Sequence, residues 1–141
     1  MKNNFKKIKV LIVIFLLTFN NNILNSEEFI YEASEIEIFE NGNIIKAING
    51  VTIKTSSNII IKAQTSKYNK KNKLLELNGN ISIIDKINNI TATTEQVFFS
   101  ELESKIFSTT KTNFKFNNKY FAEMDNFNYF IGAKYIASKN K

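Results

Sequence analysis

Two pairs of carboxylates are the side chains of this sequence best suited to chemistry. Glu35 and Glu37 stand two positions apart, as do Glu101 and Glu103, so each pair would share one face of an extended strand. Paired carboxylates serve glycoside hydrolysis or calcium binding. Acidic residues at this spacing are also typical of a solvated strand face or a turn, and we favour this second interpretation.

The residue types that the sequence lacks narrow the chemistry further. The 141 residues contain no histidine and no cysteine, which removes the commonest general base, the thiolate nucleophile and the usual zinc ligands. The sequence has no Gly-rich phosphate loop, nucleophile elbow or metal-ligand spacing. Without cysteine, disulfides and a lipid-modified N-terminal cysteine are also excluded. We therefore expect no enzyme activity, no cofactor and no metal site.

The positive net charge does not indicate a nucleic-acid partner. The formal charge is +6, but four of the 19 lysines lie within the first 26 residues, and the other 15 lysines stand against 13 acidic residues. The sequence contains no arginine, the residue that binds phosphate and guanine through two parallel hydrogen bonds. We expect no binding of nucleic acid.

The first 26 residues have the layout of a secretory signal peptide. Lysines come first, an apolar run follows from Val10 to Phe19, and a polar stretch ends at Ser26. The apolar run is too short for a spanning helix, which needs roughly 18 apolar residues. We expect a signal helix at residues 1–26 that is cleaved near Ser26, or else retained as a membrane anchor, and one domain over residues 27–141.

A short step, a large apolar residue followed by any residue and then alanine, returns four times in this domain. The steps are Tyr31-Glu32-Ala33, Ile61-Lys62-Ala63, Ile90-Thr91-Ala92 and Tyr120-Phe121-Ala122, and their alanines lie 30, 29 and 30 residues apart. A fixed period of this length indicates one supersecondary unit that is copied and stacked. Because a lone β-hairpin is only marginally stable in water, each unit must bury its apolar side against its neighbour.

The units themselves read as β-strands. From residue 27 onward apolar residues alternate with polar ones, which is the pattern of half-buried strands, and no stretch shows a helical stripe. Clusters of Asn, Gly, Ser and Lys separate about eight or nine strands; the clusters are at residues 41–43, 56–58, 69–72, 86–89 and 117–119. The fourth unit stops early, so we expect an unfinished edge there, which either meets a partner or marks a truncated chain.

The alternation predicts which side chains point inward, and this inward face is the candidate site. Its members are Ile36, Ile38, Val51, Ile53, Ile61, Ala63, Tyr68, Leu75, Leu77, Ile81, Ile83, Ile90, Ala92, Val97, Phe99, Phe114, Phe116 and Phe127, and Tyr129 shares the pattern. One interpretation is an ordinary dry core. The other is a core left partly open, so that acyl chains lie between two sheets.

The second repeat, I-K-A-Q-T-S-K-Y-N-K-K-N-K-L-L-E-L-N-G-N-I-S-I at residues 61–83, resembles the repeat of the OstA-like family of periplasmic lipopolysaccharide-transport proteins. This family includes the bridge protein LptA, the membrane-anchored LptC and the N-terminal domain of the outer-membrane translocon LptD. The resemblance covers residues 28 to about 130, and the opening at residues 27–38 is most similar to the start of the LptD domain.

The resemblance implies a twisted β-jellyroll of two facing antiparallel sheets, built from the 30-residue hairpin repeats, which holds lipid A acyl chains between the sheets. It further implies edge-to-edge pairing with other Lpt-type jellyrolls in the periplasm of a Gram-negative bacterium, with outer-membrane association as a further option. Lys54, Lys62 and Lys67 are candidates to meet acidic head groups. The alternatives are an anchored LptC-like role and a structural or adhesive β-repeat protein with a dry core.

Overall fold

The computed structural model describes residues 28–138. The predicted signal peptide and its helix at residues 1–26 lie outside the described residues, as do the last three residues of the chain.

The described residues form eleven β-strands and no α-helix, which confirms the predicted all-β class. The strands are β1 Phe29–Phe39, β2 Ile44–Thr55, β3 Ile59–Ala63, β4 Thr65–Asn69, β5 Leu74–Asp85, β6 Ile90–Ser100, β7 Lys105–Ser108, β8 Thr112–Phe116, β9 Tyr120–Met124, β10 Phe127–Phe130 and β11 Tyr135–Ser138. A single 3-10 turn, Glu40–Gly42, joins β1 to β2. All five predicted turn clusters connect strands.

All neighbouring strands pair antiparallel in one hydrogen-bonded sheet that folds over into two facing halves. The four longest strands (β1, β2, β5 and β6) bend and run through both halves. Sheet I consists of residues 35–39, 44–48, β4, 74–78, 96–100, β7, β10 and β11. Sheet II consists of residues 29–33, 51–55, β3, 81–85, 90–94, β8 and β9.

Each repeat unit consists of four half-strands, which we name A, B, C and D in chain order. In the first unit A is 29–33, B is 35–39, C is 44–48 and D is 51–55. The later A, B, C and D half-strands are, unit by unit, β3, β4, 74–78 and 81–85; 90–94, 96–100, β7 and β8; and β9, β10 and β11. A and D lie in sheet II, and B and C lie in sheet I. The described residues contain three full units and the A, B and C half-strands of the fourth. All four alanines of the apolar-x-Ala steps lie on A half-strands. In units three and four the alanine lies two residues further from the start of the B half-strand than it does in units one and two.

The bends between the two sheets follow one numerical rule. At each A-to-B bend, the flanking inward residues are three positions apart: Ala33 and Ile36, Ala63 and Ser66, Thr94 and Val97, Met124 and Phe127. At each C-to-D bend they are four positions apart: Ala47 and Val51, Leu77 and Ile81, Ser108 and Thr112. The longer segment therefore bulges against the shorter one, and the pairing register shifts where they meet. Such bulges bend a strand and increase its twist.

The core fills the space between the two sheets. Its largest fully buried side chains include Phe99, Phe127, Ile53 and Leu77, each contributing roughly 1.5–3 kcal/mol through burial. Small polar residues near the bends are buried too, but they are hydrogen-bonded; the Ser108 hydroxyl, for example, donates to the Gln96 carbonyl at 2.7 Å. Within residues 28–138, no buried side-chain nitrogen or oxygen lacks a partner.

Gly79, at the second C-to-D bend, allows a direct test of the bend. Its φ is +80°, and a Cβ there would lie 3.1 Å from Cβ of Gln64 and closer still to its amide group. We expect Gly79→Ala to lower the free energy of unfolding by about 1–3 kcal/mol, because the left-handed backbone is strained for a residue with a side chain.

Urea unfolding measures this change, and Gly132→Ala is the matched control. Gly132 has no positive φ, and nothing lies within 4 Å of its added Cβ. Equal unfolding midpoints for the two variants would contradict the role assigned to the bend.

Candidate functional site

The structure places most of the predicted inward residues between the two sheets. Thirteen of the eighteen are buried: Val51, Ile53, Ile61, Ala63, Leu75, Leu77, Ile81, Ile83, Ala92, Val97, Phe99, Phe114 and Phe127. Tyr68, Ile90 and Phe116 are half-buried. Ile36 and Ile38 share the inward face but are 48% and 67% exposed, because β1 is an edge strand that, among the described residues, pairs only with β2.

Aromatic rings join the two sheets across the interior. Phe29 of sheet II packs edge-on against Tyr68 and Phe99 of sheet I, with ring centroids 5.2 and 5.6 Å apart. Further along the stack, Phe114 of sheet II meets Phe127 of sheet I at 5.0 Å, again edge to face. These contacts bridge the sheets directly, so side chains fill the centre of the sandwich.

The interior opens at the β1 end into a cavity of about 520 Å³. Its wall is mostly apolar and aromatic, with two carboxylates at its border; the lining residues are Glu28, Phe29, Tyr31, Ile36, Ile38, Ile45, Tyr68 and Glu101. The exposed inward residues Ile36 and Ile38 thus form one wall of the cavity, and the sheet II residues Phe29 and Tyr31 form the other. The cavity can hold an apolar group, and it offers few hydrogen-bonding partners.

Two tyrosines at this end make polar contacts that fix the position of their rings. The Tyr31 hydroxyl hydrogen-bonds to the Ser66 hydroxyl of the opposite sheet, and the Tyr68 hydroxyl donates to the Glu101 carboxylate. Burial raises the pKa of Tyr31, and the hydrogen bond to Ser66 offsets part of that rise. Burial, and then the neighbouring Glu101 carboxylate, raise the pKa of Tyr68, so both hydroxyls stay protonated at neutral pH.

A buried carboxylate ties the sheets together further along the stack. Asp85, at the end of β5 in sheet II, is buried, and it accepts a hydrogen bond from the hydroxyl of Tyr129 in sheet I. Asn88 donates to it from its side chain at 2.7 Å and from its backbone at 2.9 Å. Burial alone would raise the pKa of Asp85, but these hydrogen bonds outweigh burial and hold the pKa below its ordinary value.

The carboxylate pairs do not form a reactive site. Glu35 accepts a hydrogen bond from the exposed Asn49 side chain at 3.1 Å, and Glu37 is exposed. Glu101 and Glu103 lie in the turn between β6 and β7, where Glu101 binds Tyr68 and Glu103 pairs with Lys105. Residues 28–138 contain no group of three side chains that could hold a metal ion. No helix in this part of the chain is long and apolar enough to span a membrane.

The three lysines considered for head-group contacts all lie on the outer faces of the sheets. Lys54 is exposed and forms an ion pair with Glu32 at 2.7 Å. Lys62 and Lys67 are exposed as well. None of the three lines the cavity at the β1 end.

Sequence reasoning missed several inward residues. Phe29, Tyr31 and Ile45 line the cavity, and Ile59 and Ile106 are fully buried. Ile59 lies two positions before Ile61 in the same alternating run and so on the same strand face, which the pattern could have indicated. Glu101 carried no such signal, because its contact with Tyr68 joins residues 33 positions apart.

Comparison with known proteins bears on the fold. No protein-family model and no curated protein matches the sequence, whereas fourteen chains of solved structures match the fold. One is the crystal structure of LptH from Pseudomonas aeruginosa, the LptA-homologous periplasmic component of the conserved lipopolysaccharide transport device. The match has a TM-score of 0.68 at 9% sequence identity and covers 83% of this chain and 85% of LptH. It confirms the predicted LptA-like β-jellyroll fold.

The Asp85 network predicts how stability depends on pH. Because the pKa of Asp85 is below its ordinary value of 3.8, its contribution to stability is present above pH 3.8 and is lost as the pH falls through the folded-state pKa. We expect Asp85→Asn to lower the unfolding free energy by about 1–3 kcal/mol at neutral pH, and the difference from the unsubstituted chain to shrink below pH 3.8. Urea titrations at a series of pH values measure this difference; a constant difference would contradict the assignment.

Proposed function

We propose that this chain is a lipid-conduit component of lipopolysaccharide transport in the periplasm, and that it binds acyl chains between its two sheets without catalysing a reaction. The observation that carries the proposal is the apolar interior of an LptA-like fold that opens into a cavity of about 520 Å³ at the β1 end. An apolar surface left open to water is costly, and an acyl chain would cover it.

The fold likeness and the first residues support this proposal. The matched structure, LptH, is described as a periplasmic component of lipopolysaccharide transport. A signal peptide at residues 1–26 would bring this chain to the same compartment. The exposed Ile36 and Ile38 give an acyl chain apolar surface to contact at this end.

A structural β-repeat protein with a dry core is the second candidate. The closed centre favours it, since Phe29 and Phe114 bridge the sheets through ring contacts. The two candidates differ in whether lipid reaches the open end of the interior.

Photo-crosslinking in cells separates the two candidates, because β1 offers a matched pair of positions. Ile38 is 67% exposed in the cavity wall, and Ile30 is 64% exposed on the outer face of the same strand. A photoreactive amino acid at position 38 should capture lipopolysaccharide, and the same amino acid at position 30 should capture several-fold less. The crosslinked product is detected on an immunoblot for lipopolysaccharide. Equal capture at both positions, or capture at position 30 alone, would contradict the conduit.

We also propose that the chain joins other jellyrolls edge to edge. Among the described residues, β1 and β11 each pair with one neighbour only, so each leaves a free row of backbone groups that a further strand would satisfy. Within the chain, the C half-strand of each unit pairs with the B half-strand of the next. Continuing this rule places β11 of one jellyroll against residues 35–39 of the next, with Ala137 opposite Glu37 and Ile136 opposite Ile38.

Disulfide trapping tests this register, because the chain has no cysteine of its own. We expect an equimolar mixture of Glu37→Cys and Ala137→Cys to form the mixed disulfide under mild oxidation at least tenfold faster than a mixture of Glu37→Cys and Lys62→Cys. Lys62 is exposed on β3, away from both edges. Similar rates, followed on non-reducing gels, would rule out this joint between copies of the chain.

A further inference from the structure

Phe29 lies between the cavity at the β1 end and the packed interior. Its ring lines the cavity and also packs edge-on against Phe99 at 5.6 Å. Phe99 is fully buried and does not line the cavity. Tyr68, which contacts the Phe29 ring at 5.2 Å, is held in place by its hydrogen bond to Glu101. Of the three aromatic rings that line the cavity, Phe29 is the one without a hydrogen bond, since Tyr31 is bonded to Ser66 and Tyr68 to Glu101.

The cavity suits an acyl chain better than a peptide segment. Its walls are the side-chain faces of two sheets. The free backbone groups of β1 point along the plane of its sheet and not into the space between the sheets. A peptide backbone inserted between the sheets would therefore leave its own polar groups without partners, which is costly. An acyl chain has no such groups. The carboxylates of Glu28 and Glu101 at the cavity border disfavour an anionic head group inside, so the polar end would stay outside.

We propose that Phe29 is a specificity-determining residue that sets how far an acyl chain reaches from the cavity into the sandwich. This inference rests on the proposed acyl-chain binding. The methyl end of the chain would stop against the Phe29 ring, and removing the ring would join the cavity to the space beside Phe99. Phe29 is suited to variation because it is the first residue of an edge strand and is only half-buried.

The test is the dependence of affinity on chain length, with a series of saturated fatty acids that displace a fluorescent fatty acid from the purified protein. In the unsubstituted protein, the affinity should rise about fourfold per added methylene of the fatty acid. It should level off once the methyl end of the fatty acid meets Phe29. In Phe29→Ala the plateau should begin at a longer chain. Phe29→Leu, which keeps more of the packing, should shift the plateau in the same direction by less.

Phe39→Ala is the matched control. Phe39 lies on the same strand but on the outer face of sheet I, where Lys46 Nζ lies 4.7 Å from its ring centroid. The affinity of Phe39→Ala should therefore level off at the same fatty-acid length as that of the unsubstituted protein. If the unsubstituted chain binds no fatty acid, the proposed function fails and this inference fails with it. If it binds fatty acids but Phe29→Ala and Phe29→Leu leave the plateau unchanged, or if Phe39→Ala shifts it equally, only the role of Phe29 is overturned.

Discussion

The bends that carry a strand from one sheet to the other set the geometry of the whole fold, because their spacing is unequal. A strand that passes from one sheet to the other must keep its apolar side chains on the inside of the fold. At each A-to-B bend the flanking inward residues are three positions apart, as Ala63 and Ser66 are. At each C-to-D bend they are four positions apart, as Leu77 and Ile81 are. A one-residue slip at any bend would turn a whole half-strand over and expose its apolar face.

The same constraint gives the sandwich two continuous faces and ends that depend on neighbours. Every half-strand between the two ends pairs on both sides within its sheet, and the bends join the two sheets along one long side. Only the terminal half-strands lack a neighbour among the described residues. At the β1 end this leaves Ile36 and Ile38 inward but uncovered. The candidate site therefore lies at the end of a stack whose centre is filled by side chains, and Phe29 lies where the open part meets the packed part.

Local alternation predicted well which side chains point inward, and poorly how far each of them is buried. Ile53 and Leu77 were predicted to be inward from period-2 spacing, and both are fully buried. Ile38 has the same spacing but lies on an edge strand, and alternation carries no information about which strand is at the edge. The sequence predicts too few strands for a similar reason: the break at Gln64, between β3 and β4, carries none of the Gly or Asn signals that mark tight turns.

Contacts between distant residues were beyond sequence reasoning. Asp85 and Tyr129 are 44 residues apart and meet only because their units stack with the two sheets facing each other. Tyr68 was predicted to be inward, but its partner Glu101 read as part of a solvated acidic pair. In both cases the alternation indicated the strand face and not the opposing residue. The fold likeness to LptH concerns the arrangement of the strands. These side-chain contacts depend on the sequence of this chain.

Isoleucine-methyl NMR of the protein with bound lipopolysaccharide would show whether acyl chains lie between the sheets, because isoleucines lie on both faces of both sheets. If acyl chains lie between the sheets, nuclear Overhauser effects should connect acyl-chain protons to the methyl groups of Ile36, Ile38 and Ile45, which line the cavity. Ile30, on the outer face, and Ile60, paired with Ile84 on the outer face of sheet II, should show none. Contacts confined to the outward isoleucines would contradict a conduit between the sheets.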